Sequence, residues 1–164
     1  MGEENFFSFF DATSSHGPAK YFTEIESYAT SHGPFDLVMA MCFSGSLVAA
    51  LLMHKAHLGR HHQVFKGAIF LSGGGVMDPT ASTFKPLEDA SAYAKIPIPT
   101  ANIWGASDEI HRKTAAELAL VCCTKINVTF IHDADTPIAQ SRDKKALAGT
   151  VKAIRRTVDE VLFS

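Results

Sequence analysis

The segment Met39-Ala40-Met41-Cys42-Phe43-Ser44-Gly45-Ser46-Leu47 runs an apolar, strand-like stretch directly into an apolar, helix-like one. Such a turn forces its central residue into a strained backbone conformation, thrusts that side chain outward, and needs small residues two positions to either side. Cys42 meets the condition with Ala40 and Ser44. A thiol placed just before a helix start is expected to have a lowered pKa and to favour the nucleophilic thiolate. The backbone N–H of Phe43 is the expected oxyanion donor. Ser44 is the rival nucleophile, but its neighbours Cys42 and Ser46 are bulkier than Ala40. A buried, inert core cysteine is the purely structural alternative for Cys42.

Other residues that could do chemistry also follow strand-like runs. Asp108, reached through Gly105-Ala106-Ser107, suits an acid that orients a histidine; equally, Asp is favoured as the N-cap of a helix starting near Glu109. His132 closes the apolar run Ile126 to Ile131 and is the candidate base, an orienting donor, or a satisfied histidine at a strand end. Ser72-Gly73-Gly74-Gly75 lacks the spacing of a phosphate loop. It reads instead as a tight turn or a close backbone approach to a substrate, with Ser72 and Gly73 as binding candidates. Met41, Phe43 and Trp104 are the expected apolar lining of the cleft. His54, His57 and His61 share a helical face, but no Cys or paired carboxylate accompanies them, so neither a metal nor another cofactor is expected.

The elements that must position these residues alternate regularly. Apolar runs at Phe6 to Phe10, Phe35 to Met41, Val64 to Leu71, Ile98 to Trp104 and Ile126 to Ile131 read as strands. Tyr21 to Thr30, Gly45 to His57, His111 to Cys122 and Asp143 to Leu162 read as helices. Strands apolar on both faces and separated by helices imply a parallel sheet covered on both sides, with ligands beyond the carboxyl ends of the strands. The expectation is an α/β three-layer sandwich of about five parallel strands, with Phe35 to Met41 near the centre. No repeat, linker or low-complexity tract divides the chain, so residues 1–164 read as one domain.

Composition narrows the partners. With 15 Lys+Arg against 17 Asp+Glu the net charge is -2, which gives nucleic acid or an anionic membrane surface nothing to bind. Arg155-Arg156 and Lys144-Lys145 read as the solvated face of the last helix. No apolar run reaches the ~18 residues of a membrane span, and Met1-Gly2-Glu3-Glu4 does not open a signal peptide. The three cysteines, Cys42 and the adjacent Cys122 and Cys123, do not form a disulfide framework. The reading is a cytoplasmic protein with a small-molecule substrate.

Gly33-Pro34-Phe35-Asp36-Leu37-Val38-Met39-Ala40-Met41-Cys42 resembles the G-P-F-D-G-V-x-G-F-S segment of the fungal family of serine hydrolases, within the α/β-hydrolase superfamily. Cys42 stands where that family has its nucleophilic serine. Phe65 to Gly73 is similar to the family's central strand ending in S-G. Ile98-Pro99-Thr100 with Trp104-Gly105-Ala106-Ser107-Asp108 is similar to its I-P-T…G-x-x-D, whose last residue is the triad acid. Phe6 to Ala12 is similar to its second strand, and the cysteine elbow also resembles that of dienelactone hydrolases.

The resemblance implies an α/β-hydrolase fold, a Cys42–His132–Asp108 triad and no cofactor. It also implies an initial strand ending in a His-Gly loop, which nothing before Phe6 supplies, and a histidine nearer Pro137 than His132 is. A sheet without its first strand leaves an edge open to pairing with a second copy. Two activities follow. One is hydrolysis of an ester or thioester, such as a polyketide or other secondary-metabolite intermediate, with a cysteine chosen because a thiolate least needs the displaced base. The other is a non-hydrolytic cyclase, isomerase or binding scaffold on the same fold.

Overall fold

The computed structural model describes residues 17–59, 64–133 and 143–163. Its elements in chain order are helix α1 (Pro18–His32), strand β1 (Leu37–Met41), helix α2 (Phe43–His57), strand β2 (Gly67–Leu71), strand β3 (Thr100–Gly105), helix α3 (Arg112–Leu120), strand β4 (Asn127–His132) and helix α4 (Lys144–Phe163). The strands pair in the order β1-β2-β3-β4, and every pairing is parallel.

The two faces of the sheet bury different side chains because successive residues of a strand point to opposite sides. Ala40, Ala68 and Phe70 pack against Val48, Ala49, Leu52 and Met53 of α2 and Leu118 of α3. Ile69, Leu71, Ala101 and Ile103 pack on the other side against Ala153 and, beside it, Ile154 of α4. The α/β three-layer sandwich expected from the alternation is therefore the fold. α2 is buried without interruption from Gly45 to Met53. Such a helix has no polar face to present to water, which is why the sequence shows a solid apolar block there rather than a 3.6-residue stripe.

Two expectations about the sheet turn on residues outside those described. Four strands lie among the described residues, and the run Phe6 to Phe10, read as a fifth, falls outside them. Among the described residues β1 stands at one end of the order and β2 and β3 occupy the middle. Among the described residues α4 packs on β2, β3 and β4 and has no comparable packing on β1. Met39 and Met41 of β1 are 58% and 46% exposed. Among the described residues no helix is long and apolar enough to cross a membrane.

Between β2 and β3 the chain makes an excursion rather than a helix. Asp78 N–H donates to the Lys85 carbonyl and Leu87 N–H to the Val76 carbonyl, so the segment doubles back on itself around the antiparallel bridge Met77–Pro86. This folded loop forms one wall above the sheet.

Candidate active site

Each chemistry-bearing residue sits where a parallel strand ends. Cys42 follows β1 and precedes α2, with φ 51° and ψ -125°. A side chain with a Cβ adopts positive φ at a cost of about 1–3 kcal/mol, so its surroundings must hold it there. They do so through the backbone. Cys42 N–H donates to the Leu71 carbonyl at 3.1 Å, and its own carbonyl accepts from Gly45 N–H at 3.0 Å and Gly74 N–H at 2.8 Å. Ala40, two residues earlier, is buried, and Gly45 lies so close to Gly73 that a Cβ there would meet the Gly73 Cα at 3.2 Å.

Ser44 has a different job. Its hydroxyl donates to the Met41 carbonyl at 2.6 Å and accepts from Met41 N–H at 3.0 Å, which folds it back on the strand end. The elbow conformation belongs to Cys42, and Ser44 braces it.

Cys42 and Phe43 open into a cleft of about 1050 Å³. Gly74, Gly75 and the folded loop with Val76, Met77 and Phe84 form one wall; Ile110, His111 and Thr114 form the other. Of the glycine loop, Gly74 and Gly75 line the cleft. Gly73 does not line the cleft; it packs on Leu118, and its carbonyl accepts from Thr114 Oγ1 at 3.3 Å. Met41 and Trp104, expected in the lining, are not in it. Met41 is exposed at the end of β1, and Trp104 is buried within β3.

Asp108, after β3, is buried. Its Oδ1 accepts from Ile110 N–H at 3.1 Å and His111 N–H at 2.9 Å, while its Oδ2 stands 3.1 Å from His111 Nδ1 and 3.5 Å from the donating Ser72 hydroxyl. One oxygen of this carboxylate caps the turn ahead of α3, and the other faces an imidazole. Burial raises the Asp108 pKa, but the hydrogen bonds from His111 and Ile110 outweigh it and hold the carboxyl below its usual value. Ser72, like Cys42, has positive φ (43°) and is fully buried. It therefore supports Asp108 from beneath instead of facing a ligand.

The histidine beside Asp108 is His111, not His132. His132 is buried at the end of β4 on the face covered by α4, neither ring nitrogen has a hydrogen-bond partner, and it does not line the cleft. It shares that face with Phe130, whose ring lies 6.4 Å away. Alternation along β4 turns it to the α4 side with Phe130.

The expected lowering of the Cys42 pKa is also overturned. Burial of the thiol first, and the Asp108 carboxylate second, push it up. Cys122 is buried in the core near Asn102, and its thiol is likewise raised by burial. His54 and His57 do not converge: the first packs on Phe22 and the second on Tyr93, and His61 lies outside the described residues. Among the described residues no three His, Cys, Asp or Glu side chains are placed to hold a metal ion.

The sequence matches the family described as "Serine hydrolase (FSH1)" over residues 2–144. The chain belongs to the FSH1 serine hydrolase family. FSH1 membership makes it a hydrolase-like protein. A comparison with curated proteins finds no match. Among solved structures, the esterase domain of a Rhodothermus marinus protein is similar in fold, with a TM-score of 0.54 at 14% identity over 85% of this chain and 67% of that one. This FSH1 member carries cysteine at its strained elbow.

Proposed function

We propose that this protein hydrolyses an ester or thioester through a covalent intermediate on Cys42. The observation that carries this reading is the positive-φ elbow at Cys42, set at the N-terminus of α2 and opening into a deep cleft. In the proposed reaction Cys42 Sγ attacks the substrate carbonyl carbon. The Phe43 N–H stabilises the developing oxyanion, the alcohol or thiol leaves, and water releases the acyl group from the sulfur. Asp108 supplies the fixed negative charge that orients a base. The lining residues Phe43, Val76, Met77, Phe84, Leu87 and Ile110 favour a small molecule with an apolar acyl arm, in keeping with a polyketide or related secondary-metabolite intermediate handled in the cytoplasm.

Turnover of p-nitrophenyl butyrate and of a butyryl thioester tests the reading. Cys42→Ala should abolish both with an unchanged melting temperature. A second reading, non-covalent binding or intramolecular rearrangement, is favoured by the raised thiol pKa. Full turnover in Cys42→Ala would decide for chemistry that does not pass through the sulfur.

A further inference from the structure

We propose that His111 is the general base and acid of this site, held by Asp108 three residues earlier in the same turn. This rests on the hydrolase reading of Cys42. The turn after β3 would then carry both the acid and the base, with no histidine needed from the segment after β4.

The geometry fixes the Asp108–His111 pair and opens its ring to the cleft that Cys42 also lines. Asp108 is buried, and its Oδ2 and Oδ1 stand 3.1 Å and 3.3 Å from His111 Nδ1. The carboxyl is held ionised by its hydrogen bonds, and a carboxylate can only accept, so Nδ1 carries the ring proton. A neutral imidazole protonated at Nδ1 presents Nε2 as a bare acceptor, the form a base needs. Nε2 has no hydrogen-bond partner among the described residues. The ring is 26% exposed and lines the same cleft as Cys42. Its backbone is fixed independently: His111 N–H donates to Asp108 Oδ1, and its carbonyl accepts from Ala115 N–H at 2.8 Å and Thr114 Oγ1 at 3.0 Å. The ring is thus posed from both sides. Among the described residues the cleft's other charged groups are Lys85, Glu88 and Glu117, and no second imidazole lines it.

The proton account closes without another reactant. Nε2 takes the Cys42 S–H proton as Sγ bonds to the carbonyl carbon. It returns that proton to the leaving oxygen or sulfur as the C–O or C–S bond breaks. In the second half it takes a proton from water, whose oxygen bonds to the acyl carbon, and gives it back to the departing Cys42 sulfur. The thiol needs this help because burial and Asp108 disfavour its spontaneous ionisation.

The test compares wild type, His111→Ala, His111→Gln, His132→Ala and Cys42→Ala on p-nitrophenyl butyrate, with melting temperatures alongside. Both His111 variants should lose about 10²-fold or more in kcat while remaining folded, and added imidazole should restore part of the His111→Ala activity. Gln keeps a hydrogen bond but cannot carry a proton, so equal loss in Gln and Ala excludes a merely structural role. Alkylation of Cys42 by iodoacetamide at pH 7 gives a readout independent of turnover. It should slow about tenfold in His111→Ala through loss of the base, and converge with wild type at high pH. If Cys42→Ala is inactive but His111→Ala turns over and alkylates like wild type, the His111 assignment is overturned and the hydrolase reading stands. Loss of turnover in His132→Ala alone overturns it too. If Cys42→Ala keeps full turnover, the reading beneath it fails first.

Discussion

The Gly74 N–H donates to the Cys42 carbonyl at 2.8 Å, so the loop after β2 holds the turn after β1 in its strained shape. A Cβ at Gly74 would collide with Ser46 Oγ and stand 3.2 Å from the Cys42 oxygen. Gly74→Ala should therefore push the loop off the elbow. The expected result is a loss of about 1–3 kcal/mol in denaturant unfolding, together with a larger loss of esterase turnover than that destabilisation explains.

Ser44 is a brace in this structure, and removing it separates support from chemistry. Ser44→Ala deletes a hydroxyl paired with both polar groups of Met41. Stability should fall by about 0.5–1.5 kcal/mol while turnover survives at a reduced rate. Complete loss of turnover in a folded Ser44→Ala protein would transfer the nucleophile to Ser44.

The Cys42 thiol should be a slow alkylation target at neutral pH, its rate rising through an inflection above the ordinary thiol value of about 8.5. Asp108 contributes to that elevation through its negative charge. Asp108→Asn should move the inflection to lower pH. Peptide mapping after iodoacetamide treatment across pH 6–10 reads this directly. Cys122, which is fully buried, should label only on unfolding.

Asp108 should also make the fold sensitive to acid. Its folded pKa lies below the usual carboxylate range, so its stabilising contribution is complete above the unfolded value of about 3.9 and is lost as pH falls through the lower folded value. The melting temperature of wild type should drop in that acid window. Asp108→Asn should start lower at neutral pH and show a flatter profile there; an identical acid slope in both proteins would remove Asp108 from the titration.

The strand and helix order was legible because it is written in apolar runs and breaks. β1, β2, β3 and β4 fall inside the stretches read as strands apart from an end residue, and Cys42 occupies the elbow its small neighbours require. Exposure along a strand was not legible. Met39 and Met41 are apolar, yet both are exposed. The wall built by Met77 to Leu87 carries no period, since it is held by a few backbone hydrogen bonds. His111 was missed because it was read only as the first residue of a helix. The signal was the spacing Asp108-x-x-His111: an Asp that caps a turn accepts from the N–H three residues on, and a histidine there can bring its Nδ1 to the same carboxylate.

Cys42, Ser72 and Asp108 follow three neighbouring strands, and the partners Met41–Leu71 and Leu71–Ile103 fix how those strand ends align. No local segment holds the elbow, its brace and the acid together. A slip of one residue between any two strands would turn every side chain of the shifted strand to the opposite face. The catalytic geometry is therefore a late event in folding, absent from any intermediate that has helices but no settled sheet. Recovery of esterase activity after dilution from denaturant should lag behind recovery of helical circular dichroism, which makes turnover the stricter measure of a correctly registered molecule.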